Sequence, residues 1–312
     1  MKRRKVIVLA LALAAAAYLL VRGPLGRGPG AGSGGAPLLP ALAPAEVHRV
    51  TVVAPGGRVA LARRGDDWLI EGLRAGHADT TLVRRALWSA ARLSRADVAS
   101  VVAGKHFLFG VTDSLGTRVS LAGPAGTVEF VFGRPGPRDM GTCVRVPGDD
   151  RVYLAPGALA SVYPVEAAAW RDRRPLRFDV QATRRLTIGG GAPPVSLSVR
   201  DDGRWHIEGP GGGPADVKAV ERALLSLAAL RAVAFADDRT PAECGLDPEG
   251  ERRPALVDIG LADGRTLRIL FGKLEGEARP AMTPDRETIY VVPNSALDRI
   301  LAGPDAFAAP GR

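Results

Sequence analysis

Four carboxylates come in two pairs. Glu71 and Glu208 each follow a short apolar strand opened by a tryptophan, and Asp79 and Asp216 each stand eight residues further on, ahead of an amphipathic run. Paired acids can share general-acid and general-base work, so a hydrolase using Glu71, Asp79, Glu208 and Asp216 is one reading. Recurrence at a fixed 137-residue spacing favours turn and capping roles, because a catalytic constellation is normally asymmetric while structural roles survive in every copy. The four histidines, His48, His77, His106 and His206, form no His-x-His or His-Glu-x-x-His pattern, and Cys143 and Cys244 lack zinc spacing. No Gly-x-Ser-x-Gly, Ser-x-x-Lys or phosphate-loop motif is present, and the glycines of 28–35 neither follow a strand nor open a helix. No catalytic, cofactor or metal residue is therefore assigned. Trp68 and Trp205 could stack on sugars, but their place in an alternating strand before the principal helix makes them anchors between sheet and helix. The two cysteines are expected to be buried small hydrophobes.

The elements that carry these residues are duplicated. Sliding the chain by 137 positions sets Trp68 on Trp205, Glu71-Gly72 on Glu208-Gly209, Ala78-Asp79 on Ala215-Asp216 and Arg85-Ala86-Leu87 on Arg222-Ala223-Leu224. With small slips, Gly110-Val111 answers Gly245-Leu246, Phe132-Gly133 answers Phe271-Gly272, and Tyr153 answers Tyr290. Similarity over more than a hundred residues means two copies of one unit. Each copy reads as a hairpin, a tryptophan strand, a helix capped by Asp79 or Asp216, a second set of strands ending at Tyr153 or Tyr290, and a terminal helix from about Pro156 or Pro293. The helical face is Val83, Leu87, Ala90 and Leu93 in the first copy, and Val217, Val220, Leu224, Leu227 and Leu230 in the second. The fold class expected is α+β: two tandem repeats, each a mostly antiparallel sheet with one principal helix and a short terminal one. The repeats are placed at 46–163 and 180–302, joined by a connector at 164–179 and followed by a loose tail at 303–312.

Ahead of the repeats, Lys2 to Lys5 precede an uncharged run, Val6 to Val21, that Arg22 closes. Sixteen residues at about 1.5 Å each reach roughly 24 Å, which tilt-free spanning with snorkelling arginine and mild bilayer thinning accommodates. Residues 1–5 are expected in the cytoplasm, 6–22 as a transmembrane signal anchor, and 23–45, with seven glycines and five prolines, as a linker; the C-terminal bulk then lies outside the cytosol. Because the apolar run continues through Tyr18-Leu19-Leu20-Val21, an uncleaved anchor is favoured over a cleaved signal peptide. The net charge of +9 is mostly this segment: five of the 42 basic residues lie in 1–22, leaving 37 against 33 acids. With only 5% aromatic residues, and arginines set beside acids as in Arg171-Asp172-Arg173-Arg174, a solvated surface is expected rather than a nucleic-acid site.

The tryptophan-to-helix block, Gly245-Leu246-Asp247-Pro248, Leu261-Ala262-Asp263-Gly264 and Ile289-Tyr290-Val291-Val292-Pro293 together resemble the bacterial domain-of-unknown-function 4340 family. The likeness runs from about residue 46 to 301, with the second copy nearer the pattern and the first departing at Gly110-Val111-Thr112-Asp113. The resemblance implies a membrane segment followed by such units, and a gene neighbourhood of ABC-type transporter components similar to those of gliding motility. It supplies no catalytic residue. The functional expectation is a single-pass, non-catalytic envelope protein of the bacterial inner membrane, scaffold or accessory to an ABC-type transport or motility system, with a transporter permease or ATPase as partner. A polysaccharide- or peptidoglycan-binding module is the alternative, followed by an unrecognised hydrolase.

Overall fold

The computed structural model describes residues 36–39, 42–73, 76–95, 97–136, 141–190, 194–209, 212–250, 253–284 and 286–309. The expected anchor at 6–22, and the linker up to residue 35, lie outside the described residues. Among those described, no helix is long and apolar enough to cross a membrane.

Two eight-stranded antiparallel sheets dominate the chain, so the architecture is more sheet than the α+β expectation implied. The first contains β1 (Arg49–Ala54), β2 (Gly57–Arg64), β3 (Asp67–Ile70), β4 (Val98–Ser100), β5 (Thr117–Gly123), β6 (Gly126–Pro135), β7 (Thr142–Arg145) and β8 (Val152–Ala155). The second contains β9 (Thr183–Gly189), β10 (Val195–Val199), β11 (Trp205–Ile207), β12 (Ala234–Phe235), β13 (Ala255–Leu261), β14 (Thr266–Phe271), β15 (Ala278–Thr283) and β16 (Arg286–Pro293). The strand order is β3-β2-β1-β5-β6-β7-β8-β4 in one sheet and β11-β10-β9-β13-β14-β15-β16-β12 in the other. Adding eight to each number converts the first into the second, so the duplication inferred from sequence is a duplication of topology. The helices are α1 (Thr80–Ala91), α2 (His106–Phe109), α3 (Leu159–Val162), α4 (Ala167–Trp170) and α5 (Val217–Ala228).

The principal helices follow from local chemistry. Asp79 and Asp216 have extended backbones, and each accepts through Oδ1 from an amide of the first turn: Thr81 N at 2.8 Å and Lys218 N at 2.9 Å. Both thus satisfy an amide that the start of a helix leaves free, as expected. Val83, Ala86, Leu87 and Ala90 of α1 are buried, as are Ala219, Val220, Ala223, Leu224 and Leu227 of α5. Val217, expected on that apolar face, is exposed at the first position of its helix. Each buried leucine contributes about 1.5–3 kcal/mol against leaving it in water. The terminal helices shrink to single turns: α3 in repeat one and a 3-10 turn at Asn294–Ala296 in repeat two.

The strands divide by how many faces they bury. In β1 and β5, Val50, Val52, Val119 and Leu121 are buried while their neighbours are not, the alternation of a sheet covered on one side. In β6 and β7, the runs Phe130-Val131-Phe132 and Thr142-Cys143-Val144 are buried throughout. Phe130, Phe132 and Val144 join the main core with α1, whereas Val131 and Cys143 join a second cluster with Val111 and Val152, to which Phe109 is packed. Repeat two matches: Ile269 and Phe271 pack with α5, and Leu270 packs with Cys244, Leu246 and Ile289.

That second cover requires two glycines per repeat. Gly110 and Gly245 end the turn over the sheet in the left-handed region, with φ of +67° and +65°. Beneath them, a Cβ on Gly133 would lie 2.3 Å from the Phe109 carbonyl oxygen, and one on Gly272 would lie 2.0 Å from that of Cys244. No L side chain fits such a gap.

The expected domain limits need redrawing at both ends. Leu38 and Leu39, assigned to the linker, are buried in the first core, and Arg95 N donates to Ala36 O at 2.9 Å. The equivalent bond 137 residues on, from Ala232 N to Arg173 O, is 2.8 Å long, and Leu176 is buried as Leu39 is. Likewise the supposedly loose tail contains a 3-10 turn, Pro304–Phe307, whose Phe307 is buried in the second core at the position equivalent to Trp170. Residues 36–172 and 173–309 are therefore abutting repeats, and both the connector and the tail up to Ala309 belong to them. Terminal composition misled here: Gly- and Pro-rich flanks conceal one leucine pair and one aromatic that have core partners.

Gly272→Ala and Gly133→Ala are each expected to lower unfolding free energy by about 1–3 kcal/mol or more through overpacking. Gly56→Ala, where a Cβ would meet nothing within 4 Å, is expected to stay within about 0.5 kcal/mol. Urea denaturation of the three variants measures the contrast.

Candidate functional site

Each duplicated carboxylate has a hydrogen-bond partner within its own repeat. Glu71 accepts from Arg49 Nη2 at 2.6 Å, and Glu208 accepts from Ser198 Oγ at 2.6 Å. Asp79 and Asp216 are helix caps. The two glutamates share backbone placement, their amides donating to Ala60 O and Ser196 O at 2.8 and 2.7 Å, but their side-chain partners differ. Trp68 is buried in the first core and Trp205 packs, partly buried, against the second. Tyr153 and Tyr290 are buried in β8 and β16. The histidines have separate neighbours: His77 lies beside β3, where it bridges to Leu69, His106 Nε2 is 2.7 Å from Asp150 O, and His206 Nε2 is 3.3 Å from Asp202. Among the described residues, no group of three or more His, Cys, Asp or Glu is arranged to hold a metal ion. Cys143 and Cys244 are buried free thiols, each in the minor cluster of its own repeat, and burial raises both thiol pKa values.

A dense polar arrangement lies at the junction of the repeats, in a segment whose arginines were expected to be a solvated surface. Arg171 and Asp172 are instead only 6% and 3% exposed. The chain leaving α4 runs alongside the start of α1. Asp79 N donates to Trp170 O at 2.7 Å, Asp172 N donates to His77 O at 2.9 Å, and Ala78 bridges to Arg171. Repeat two copies the first of these contacts, from Asp216 N to Phe307 O at 2.8 Å, with Ala215 bridged to Ala308.

The side chains then depart from the repeat. Arg171 reaches into repeat two, where its guanidinium forms a two-pronged ion pair with Asp237, Nη2 to Oδ1 being 2.8 Å, and lies 3.5 Å above the centroid of the Phe235 ring. Asp172 accepts from Arg174 N at 3.1 Å and from Arg177 Nη2 at 2.8 Å, and both arginines also approach Asp79 Oδ1, at 3.7 and 3.8 Å. Buried charge is tolerated only where paired and hydrogen-bonded, which these groups are. The arrangement fixes geometry: it stitches the cap of α1 to the edge of the second sheet. In sequence, the alternation of Arg and Asp concealed it, because solvated and buried ion pairs have the same composition. One available signal was the alignment of Trp170 with Phe307 at the repeat spacing.

A second signal that sequence reading passed over is exposed apolar surface. Trp88 and Leu225, equivalent positions of α1 and α5, are both exposed; repeat one adds Val53, Val98, Val101, Val102, Phe107, Leu108 and Leu115, and repeat two adds Val217, Val233 and Leu274.

With this geometry in place, comparison with known proteins gives a family. The family model described as Domain of unknown function (DUF4340) matches residues 68–249, more than half of the chain. The chain belongs to this family. The DUF4340 match opens at β3, crosses the Arg171 junction and stops short of β13, so it takes in parts of both repeats and is shorter than the resemblance read from sequence. No curated protein and no solved structure matches the chain.

Two outcomes follow from the charges. Arg171→Ala is expected to cost about 1–3 kcal/mol and to accelerate hydrogen exchange across 232–237 while leaving the α1 amides protected. Asp149 is held down to about 2 by hydrogen bonds from the Arg151 side chain and amide and from the Tyr153 hydroxyl, against the opposing effect of burial. A depressed carboxylate stabilises fully above its unfolded value of about 3.9 and loses that contribution as pH falls through about 2. Urea midpoints should therefore drop between pH 4 and 2, and Asp149→Asn should flatten that drop.

Proposed function

We propose that this DUF4340 protein is a membrane-tethered, extracytoplasmic and non-catalytic module, acting as scaffold or accessory subunit of an ABC-type transport or motility system in the bacterial envelope. The tether is the basic cluster and apolar run of residues 2–22, which orient the repeats away from the cytosol. The observation that carries the reading is where the repeated residues are spent. Asp79 and Asp216 cap helices, Gly133 and Gly272 admit backbone, Tyr153 and Tyr290 fill cores, and Trp68 and Trp205 pack against them. Apart from the Arg171 junction, the repeats differ in their exposed side chains, and surface is the part of a module that selects a partner. The indoles lend no support to a sugar-stacking platform, since both are packed against their sheets.

Affinity purification of the full-length chain from cross-linked, detergent-solubilised membranes is expected to enrich ABC-type permease or ATPase subunits over a control bearing only residues 1–45. Equal recovery from both would sink the proposal. A periplasm-sensitive reporter fused after Arg312 should be active; inactivity would reverse the orientation.

A further inference from the structure

The two repeats share a topology, yet one arc of their surface is built from opposite chemistry. In repeat one, β4 and the turn that follows it expose Val98, Val101, Val102, Phe107 and Leu108, five large apolar side chains within eleven residues, at 47–65% of their free area. Residues 98–110 contain no acid, and their one formal cation is Lys105. In repeat two the cover is two residues shorter and is a turn rather than a helix, but its closing bonds recur: Gly110 N to Phe107 O and Val111 N to His106 O correspond to Gly245 N to Ala242 O and Leu246 N to Pro241 O. There, Val101 and Val102 are matched by Asp238 and Arg239, and Phe107 and Leu108 by Ala242 and Glu243. The fold thus forms without apolar residues at these positions. The edge is also differently occupied: Phe235 lies under the Arg171 guanidinium, whereas its equivalent, Val98, is exposed.

We propose that this arc of repeat one docks on the lipid surface, with Val101, Val102, Phe107 and Leu108 entering the boundary between headgroups and acyl chains, and Lys105 reaching the phosphates. The inference rests on the membrane tether of the proposed function. Its position argues for lipid as the occupant. Arg95, three residues before β4, is hydrogen-bonded to Ala36, so the arc lies at the end of the module where the N-terminal segment enters. Only thirteen residues separate Arg22 from Ala36, a reach of at most about 45 Å even if fully extended. A surface that combines an aromatic, branched aliphatics and Lys105 fits an interfacial binding mode led by buried apolar area, with Asp150, whose carbonyl oxygen lies 2.7 Å from His106 Nε2, at its border. The second repeat, with Asp238 and Glu243 at the same place, is then the one left facing water.

Full-length protein reconstituted into phosphatidylethanolamine–phosphatidylglycerol vesicles provides the test. A polarity-sensitive fluorophore is attached at V101C or, in a separate sample, at D238C; unsubstituted protein, whose own cysteines are buried, reports background labelling. Emission at position 101 is expected to shift to the blue and to be quenched several-fold more by lipids carrying a spin label near the headgroup than emission at 238. If the protein floats with the vesicles after an alkaline carbonate wash but both positions are quenched equally, docking is refuted and the tether stands. Loss of the protein from the vesicles in that wash refutes the tether, and docking with it. Shielding of position 101 in native membranes but not in pure lipid overturns the proposal in favour of a protein occupant.

Discussion

The carbonyls of Phe109 and Cys244 press so closely on the sheets beneath them that the strand residues below, Gly133 and Gly272, have no space for a Cβ. Much of each repeat depends on that contact. A sheet of eight strands has two faces, and a twelve-residue helix, about 18 Å long, can cover only part of one. Strands β1, β3 and β5 manage with one buried face and alternate accordingly, while β2 buries Val59, Ala60 and Leu61 in a row. The strands β6 to β8 bury both, so a second cover has to lie on the far face. Close approach of backbone to backbone sets that cover down without a gap, and the left-handed Gly110 and Gly245 turn the chain into it.

Pinning of the helices follows a similar logic of repetition. A cap aspartate satisfies an amide of the first turn, but its own amide also needs an acceptor in a buried setting. The Trp170 and Phe307 carbonyls supply one. Since each aromatic is itself buried, the segment that closes the helix is held by the core it helps to close. In repeat one that segment continues directly into repeat two, and Arg171 converts a local closure into a link between sheets. In repeat two the equivalent residue is Ala308, and among the described residues the link has no counterpart.

Sequence made the periodic parts legible. The caps, the apolar faces of α1 and α5, the hairpins and the order of elements all follow from patterns only a few residues wide, and duplication gave each two independent witnesses. Boundaries were harder, because Leu38-Leu39 and Phe307 owe their burial to partners more than fifty residues away, and their immediate neighbours are Gly, Pro and Ala. The Arg171–Asp237 pair was illegible for a different reason: charge in sequence carries no mark of burial. Sheet pairing of β4 beside β8, rather than beside β3, is a property of topology and leaves no local trace.

A duplicated chain separates constraint from choice in a way a single domain does not. Where both repeats keep a residue, the fold is sufficient explanation: Asp79 with Asp216, and Gly133 with Gly272, perform the same task in the same place. Where they differ at an exposed position, the fold common to both does not explain either residue. Phe107 and Leu108 against Ala242 and Glu243 are such a case, since equivalent carbonyls and amides bond in both turns. Exposed phenylalanine and leucine carry a cost in solubility that alanine and glutamate avoid. On the docking proposed above, the need they meet lies outside the repeat, at the end of the module where Arg95 is bonded to Ala36.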